Sequence, residues 1–195
     1  MLAIVNSGGA NIASVKFALA RLGVVAELTS DPELIVRADK VLLPGVGAAG
    51  EGMRRLRELG LIECIRRLTQ PTLGVCLGMQ LLFESSAEDE VQTLGLIPGR
   101  VARIPSAPGL SVPHMGWNTL EPVRASPLLD GIGASDYVYF VHSFAAPVNA
   151  ATLASSRHGI EFAALVQRDN FYGMQFHPER SGPVGARILT NFLAL

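Results

Sequence analysis

"TLGVCLGMQLLFESS", residues 72–86, sets an apolar run against a cysteine flanked two residues away on each side by glycine, and then continues in a second apolar run. A short, nearly pure apolar run suits a strand buried on both faces, and the following LGMQLLFESS (77–86) predicts a helix. Gly74-Val75-Cys76-Leu77-Gly78 has the form of a nucleophile elbow, in which small neighbours let a tight strand-to-helix turn hold one reactive side chain in a cleft. The N-terminus of the predicted helix would favour thiolate over thiol at Cys76. Taken alone, the stretch fits a buried small apolar cysteine equally well.

Working outward, the same alternation fills the first half of the chain. LAIV (2–5), VVAEL (24–28) and KVLLPG (40–45) read as strands. NIASVKFALARLG (11–23), SDPELIVRAD (30–39) and EGMRRLRELGLIECIRRL (51–68) read as helices, with Gly23 as a stop and Ser30 or Asp31 as a cap before Pro32. Strands without polar alternation, separated by helices, predict a mostly parallel sheet covered on both faces. From about Gly95 the texture changes to extended segments punctuated by Pro and Gly, predicting antiparallel strands and hairpins before a last helix, VGARILTNFLAL (184–195). The expectation is an α/β chain, three layers deep, with antiparallel strands added in its C-terminal half, read as one domain over residues 1–195.

The 195 residues carry a formal net charge of -1, with acidic and basic residues scattered through the chain, which argues against nucleic acid or an anionic membrane surface as partner. No apolar run approaches a membrane span and no leader is recognisable at the start, so a cytoplasmic location is expected. Two cysteines without an export signal should both be thiols, and no Cys or His pair has metal-ligand spacing. Cys64, in an amphipathic helix without flanking glycines, reads as core.

A cysteine nucleophile needs a base and a group to orient that base. GMQFHPERS (173–181) offers His177 and Glu179, which share one side of an extended segment at i, i+2, with Pro178 stiffening the backbone. The pair would otherwise read as an exposed loop. His114 and His142 have no acid two residues away, and His158 falls in the polar turn SSRHG, so His177 is the best base candidate. LPGVGAAGEGM (43–53) is either an ordinary Gly-rich turn or a loop whose backbone N–H groups, with that of Leu77, form an oxyanion hole; it matches no phosphate-binding fingerprint.

PGVG, LGVCLGMQLLFESS and GMQFHPERS, in that order and spacing, resemble the class I (triad) glutamine amidotransferases. VPHMGWN (112–118) and YFVHS (139–143) narrow the likeness to the branch that serves histidine biosynthesis, over essentially the whole chain. The resemblance implies a flavodoxin-like α/β/α fold and a Cys76–His177–Glu179 triad that splits L-glutamine into glutamate and ammonia without metal or organic cofactor. It further implies Val46 and Leu77 as oxyanion donors, and Gly47, Gln80, Glu88, Ser143 and Phe144 as the glutamine-binding residues. Without it, Glu88 in SSAEDE would read as part of a solvated acidic run. It implies a heterodimer with a (β/α)₈-barrel cyclase that receives the ammonia, docked at Asn11, Trp117, Tyr139 and Arg180. Trp117 and Tyr139 alone would read equally as strand aromatics. Arg180 stands where the family commonly has lysine, Phe144 where it has tyrosine, and Asn6-Ser7-Gly8 where it has Asp-Tyr-Gly. The rival readings are a glutaminase of pyridoxal phosphate or anthranilate synthesis, a non-catalytic regulatory subunit, and a cysteine hydrolase of the redox-chaperone type.

Overall fold

A computed structural model describes residues 1–8 and 12–195. In chain order the N-terminal half runs β1 (Leu2–Val5), α1 (Ile12–Arg21), β2 (Ala26–Thr29), α2 (Pro32–Arg37), β3 (Lys40–Gly45), α3 (Ala49–Glu58), α4 (Leu61–Arg66), β4 (Thr72–Cys76) and α5 (Leu77–Gln80). Then follow β5 (Phe83–Ser86), β6 (Val91–Gln92), β7 (Ile97–Arg103), β8 (His114–Thr119), β9 (Glu121–Pro122), β10 (Tyr137–His142) and β11 (Phe144–Ala145). The chain closes with β12 (Thr152–His158), β13 (Ile160–Arg168), β14 (Phe171–Met174) and α6 (Gly182–Ala194).

The main sheet has the order β2-β1-β3-β4-β14-β13-β12-β9. Its first five strands are parallel, and with β14 in fifth place they reproduce the doubly wound order of flavodoxin-like folds. The expected antiparallel addition follows as β13, β12 and β9. Smaller sheets, β10-β8 and β11-β7-β5-β6, frame the site.

Period-two alternation along the central strands divides the core in two. Leu2, Ile4, Leu42, Leu73 and Val75 pack on one side with Val15 and Leu19 of α1 and Ile188, Leu189 and Phe192 of α6. Ala3, Val5, Val41 and Leu43 pack on the other with Ile35, Met53, Leu56 and Ile65 of α2 to α4. Each such Leu or Ile contributes roughly 1.5–3 kcal/mol relative to exposure, so both helical layers are fastened to the sheet.

Several local expectations change. The helix expected over 77–86 is a single turn, because the carbonyls of Leu81, Leu82 and Phe83 turn away to accept from Leu94, Leu96 and Gly95, and Phe83–Ser86 becomes a strand beside β7. The helix expected over 51–68 breaks into α3 and α4 at Gly60, whose φ of 67° lies in the left-handed region that favours glycine. Asp31, rather than Ser30, caps α2 by accepting from the Glu33 N–H. Cys64 is half-buried at the edge of the second core rather than inside it. His158 ends β12 instead of lying in a turn. Among the described residues no helix is long and apolar enough to cross a membrane.

Candidate active site

The carboxyl ends of β3, β4 and β14 lie side by side, with Gly45 opposite Cys76 and Met174 opposite Val75. Cys76 ends β4 at φ 53° and ψ −112°, a strained conformation for a residue with a side chain. The glycines explain how the turn is accommodated. A Cβ at Gly74 would lie 2.6 Å from the Gly78 carbonyl, one at Gly45 would lie 2.7 Å from the Gly78 nitrogen, and one at Gly78 would overlap the Leu43 carbonyl oxygen. Backbone therefore packs on backbone around the elbow. Because α5 is one turn long, what supports an anion beside Cys76 is the unsatisfied N–H groups of its first turn, Leu77 included, rather than a long helix dipole.

His177 follows β14, its backbone N–H donating to the Tyr139 carbonyl at 2.9 Å. Glu179 reaches it through a 3₁₀ turn, Pro178–Arg180, rather than along an extended segment. His177 Nδ1 and Glu179 Oε1 are 2.9 Å apart, with both side chains nearly excluded from water. Burial lowers the His177 pKa, but hydrogen bonding to Cys76 and to Glu179, and the negative charge of each, outweigh it and push the value up to about 10. The arrangement is an imidazolium held between a sulfur and a carboxylate.

Cys76, His177 and Leu77 open on a cavity of about 330 Å³, whose lining also includes Val46, Gly47, Gln80, Glu88, Ser143 and Phe144. The sequence expectations for nucleophile, base, oxyanion donors and substrate contacts thus converge on one space, with Glu179 behind His177. A larger groove of about 680 Å³ beside Arg124 and Arg168 shares none of these residues, and its guanidinium groups are engaged with the carbonyls of Ala150, Gln167 and Leu96.

Two of the polar residues also hold the framework. The two amide hydrogens of Gln80 go to the Phe144 carbonyl and to Gln175 Oε1, both at 2.9 Å, so Oε1 is what Gln80 can offer a ligand. Glu88 accepts from the Ala49 N–H at 2.9 Å, tying the cavity wall to the start of α3 just beyond the Gly-rich loop. Desolvation raises its pKa, against the effect of that hydrogen bond. Ser7 touches the same loop, its Oγ donating to the Pro44 carbonyl at 3.5 Å.

Sequence reasoning missed Pro113, Val141 and His142, which line the cavity, and Gln175, fully buried with its amide nitrogen 3.8 Å from the Cys76 sulfur. Gln175 lay inside the quoted GMQFHPERS; its place two residues before His177 was the available signal.

Trp117, Tyr139 and Arg180 lie outside the cavity and form one cluster. The two rings meet edge to face at 5.8 Å, Arg180 lies 5.7 Å over the Tyr139 ring, and Trp117 is 55% exposed. Asn11, the fourth docking candidate, lies outside the described residues.

The model of a family described as glutamine amidotransferase class-I matches residues 3–195. The imidazole glycerol phosphate synthase subunit HisH of Xylella fastidiosa (strain Temecula1 / ATCC 700964) is 53% identical over 194 residues, covering 100% of this chain and 97% of the relative. The subunit of the same name from Xanthomonas campestris pv. campestris (strain 8004) matches at the same identity and coverage, 53%, 100% and 97%. Among solved structures, one described as a glutamine amidotransferase superposes with a TM-score of 0.77 at 21% identity, over 99% of this chain and 97% of its own. The structure of PurLQS from Thermotoga maritima does so with a TM-score of 0.75 at 17% identity, over 99% and 97%. These structural likenesses bear on the fold.

Proposed function

The chain belongs to the class-I glutamine amidotransferase family, and from that premise we propose that it is the glutaminase subunit of an imidazole glycerol phosphate synthase. It hydrolyses L-glutamine to glutamate and ammonia and passes the ammonia to a cyclase subunit that makes imidazole glycerol phosphate and AICAR from PRFAR in histidine biosynthesis. The observation that carries the reading is the sulfur–imidazole–carboxylate relay, buried at the carboxyl ends of the central strands and opening on one cavity.

Cys76 attacks the carboxamide carbon of glutamine as a thiolate, and the C=O electron pair moves onto oxygen. The N–H groups of Val46 and Leu77 receive that oxyanion. His177, as imidazolium, gives its proton to the leaving nitrogen as the C–N bond breaks, releasing ammonia and leaving a glutamyl thioester. Neutral His177 then takes a proton from water, whose oxygen attacks the thioester; collapse returns the thiolate and frees glutamate. Glu179 holds the ring in the required tautomer throughout.

The Glu88 carboxylate suits the substrate ammonium, and N–H groups near Gly47 suit its carboxylate, with Ser143, Phe144 and Gln80 forming the wall. Ammonia released into bulk water would be protonated and lost as a nucleophile, which favours a partner seated over the outlet. A (β/α)₈-barrel cyclase docked on Trp117, Tyr139 and Arg180 meets that need. The same side carries the backbone link from Tyr139 to His177, so docking and catalysis share a junction. The test is glutamate release from L-glutamine by the subunit alone, with cyclase, and with cyclase plus its nucleotide substrate. Release that rises along the series is expected, and no release in any of the three would contradict the proposal.

A further inference from the structure

The motifs VPHMGWN and YFVHS contribute a chain of hydrogen-bonded side chains, buried at its two histidines, that the hydrolytic scheme leaves unused. Asn118 at its outer end is oriented by backbone groups, its Nδ2 donating to the Arg157 carbonyl at 2.9 Å and its Oδ1 accepting from the Thr119 N–H at 2.9 Å. Its second amide hydrogen points to His114 Nε2 at 3.3 Å, which must therefore be an acceptor. A neutral ring that accepts at Nε2 carries its proton on Nδ1, and His114 Nδ1 lies 3.0 Å from His142 Nε2. His142 Nδ1 in turn lies 2.8 Å from the Phe144 carbonyl, which can only accept. Read from either end, the chain has one solution: Asn118 donates to His114, His114 to His142, and His142 to Phe144.

The surroundings keep the rings in that state. His114 is stacked between the Phe140 and His158 rings, with centroids 4.9 and 4.0 Å away. Burial, reinforced by His142 and His158, pulls the pKa of His114 down to about 3; burial, opposed by the hydrogen bond to Phe144 and reinforced by His158 and His177, pulls that of His142 to about 4, so neither carries charge at neutral pH. All four ring nitrogens of the two residues are engaged, which leaves no lone pair for a metal ion.

Phe144 closes the cavity wall, and its carbonyl accepts from His142 on one side and Gln80 on the other. We infer that His114 is a positioning residue for glutamine binding: by donating from Nδ1 to His142, it fixes the ring that holds the Ser143–Phe144 turn against the substrate. The inference rests on the glutaminase reading above. His114 does not line the cavity and acts through His142.

Two amide substitutions separate this role from packing. Asparagine at 114 can place a donor near the position of Nδ1, whereas glutamine reaches only the position of Nε2, although glutamine is nearer to histidine in volume. In the complex with cyclase, His114→Gln should raise KM for glutamine about tenfold with kcat within about threefold of wild type, as expected for a lost hydrogen bond that leaves a buried acceptor unsatisfied. His114→Asn should stay within about threefold of wild type in both. A purely structural role predicts the reverse order, and a Gln variant equal to or better than the Asn variant would overturn the inference. ¹⁵N NMR of the wild-type complex should show Nδ1–H tautomers for both His114 and His142; an Nε2–H tautomer in either ring would also overturn it, whether or not the variants fold. A wild-type complex that releases no glutamate would remove the glutaminase reading and this inference together, whereas an active wild type with an unimpaired Gln variant removes the inference alone.

Discussion

The carboxylate of Glu179 lies 2.9 Å from the imidazole of His177; both side chains are nearly excluded from water, and the glutamate lies in a turn that begins one residue after the base. Together with the hydrogen bond to Cys76, this contact sets the protonation of His177. A histidine with an ordinary pKa near 6.5 would be mostly neutral at pH 8, whereas this one, at about 10, keeps its proton and can deliver it to departing ammonia.

The pH dependence follows with its sign. Because the folded-state value lies above the ordinary one, the stabilisation from protonated His177 is complete below about pH 6.5 and is lost as pH rises through about 10. The alkaline limb of kcat/KM should therefore fall near pH 10. Glu179→Gln removes one of the charges that raises the value, so that limb should move to lower pH, with kcat reduced roughly 100-fold or more. A pH–rate profile of the complex checks both, and an alkaline limb that stays in place would rule out the assigned role of Glu179.

The elbow glycines make a prediction opposed to helix propensity. An alanine within a helix ordinarily gains about 1 kcal/mol over glycine, but at Gly78 the new Cβ would overlap the Leu43 carbonyl oxygen in a fully buried site. Gly78→Ala should destabilise by about 3 kcal/mol or more in urea unfolding. Gly95→Ala, at φ 68° with open space around it, should cost only about 1–2 kcal/mol from backbone strain.

If the Trp117 face is where the cyclase docks, as proposed, Trp117→Ala should weaken binding of the cyclase roughly tenfold or more by calorimetry, the behaviour of an aromatic anchor at an interface. Because Trp117 is more than half exposed, thermal unfolding of the isolated subunit should shift little. A large loss of stability with unchanged affinity would assign Trp117 to the core instead.

What could be read in advance followed the range of the interactions. The parallel strands were legible because two-sided burial writes a continuous apolar run, as in KVLLPG and TLGVC. That Cys76, His177 and Glu179 belong together was legible from the flanking glycines of Cys76 and the i, i+2 spacing of the other two, although that pair meets through a 3₁₀ turn and not along an extended segment. The change of Phe83–Ser86 from helix to strand was not, since it depends on partners at residues 94–97 that no local period reports. The break at Gly60 was offered by one glycine inside an otherwise helical pattern, which periodicity alone reads through. The chain from Asn118 to Phe144 joins residues up to 28 apart across β8 and β10, so His114 and His142, judged as isolated candidate bases, gave no sign that they form a pair.

The central claim is that the Cys76 sulfur opens the glutamine amide and that its ammonia is consumed by the partner. Cys76→Ala, assembled with the cyclase, tests this most directly when synthesis is measured with glutamine and with ammonium salt side by side. The account predicts that glutamine-dependent synthesis disappears while ammonia-dependent synthesis continues at the wild-type rate. Full glutamine-dependent synthesis by the variant would contradict it.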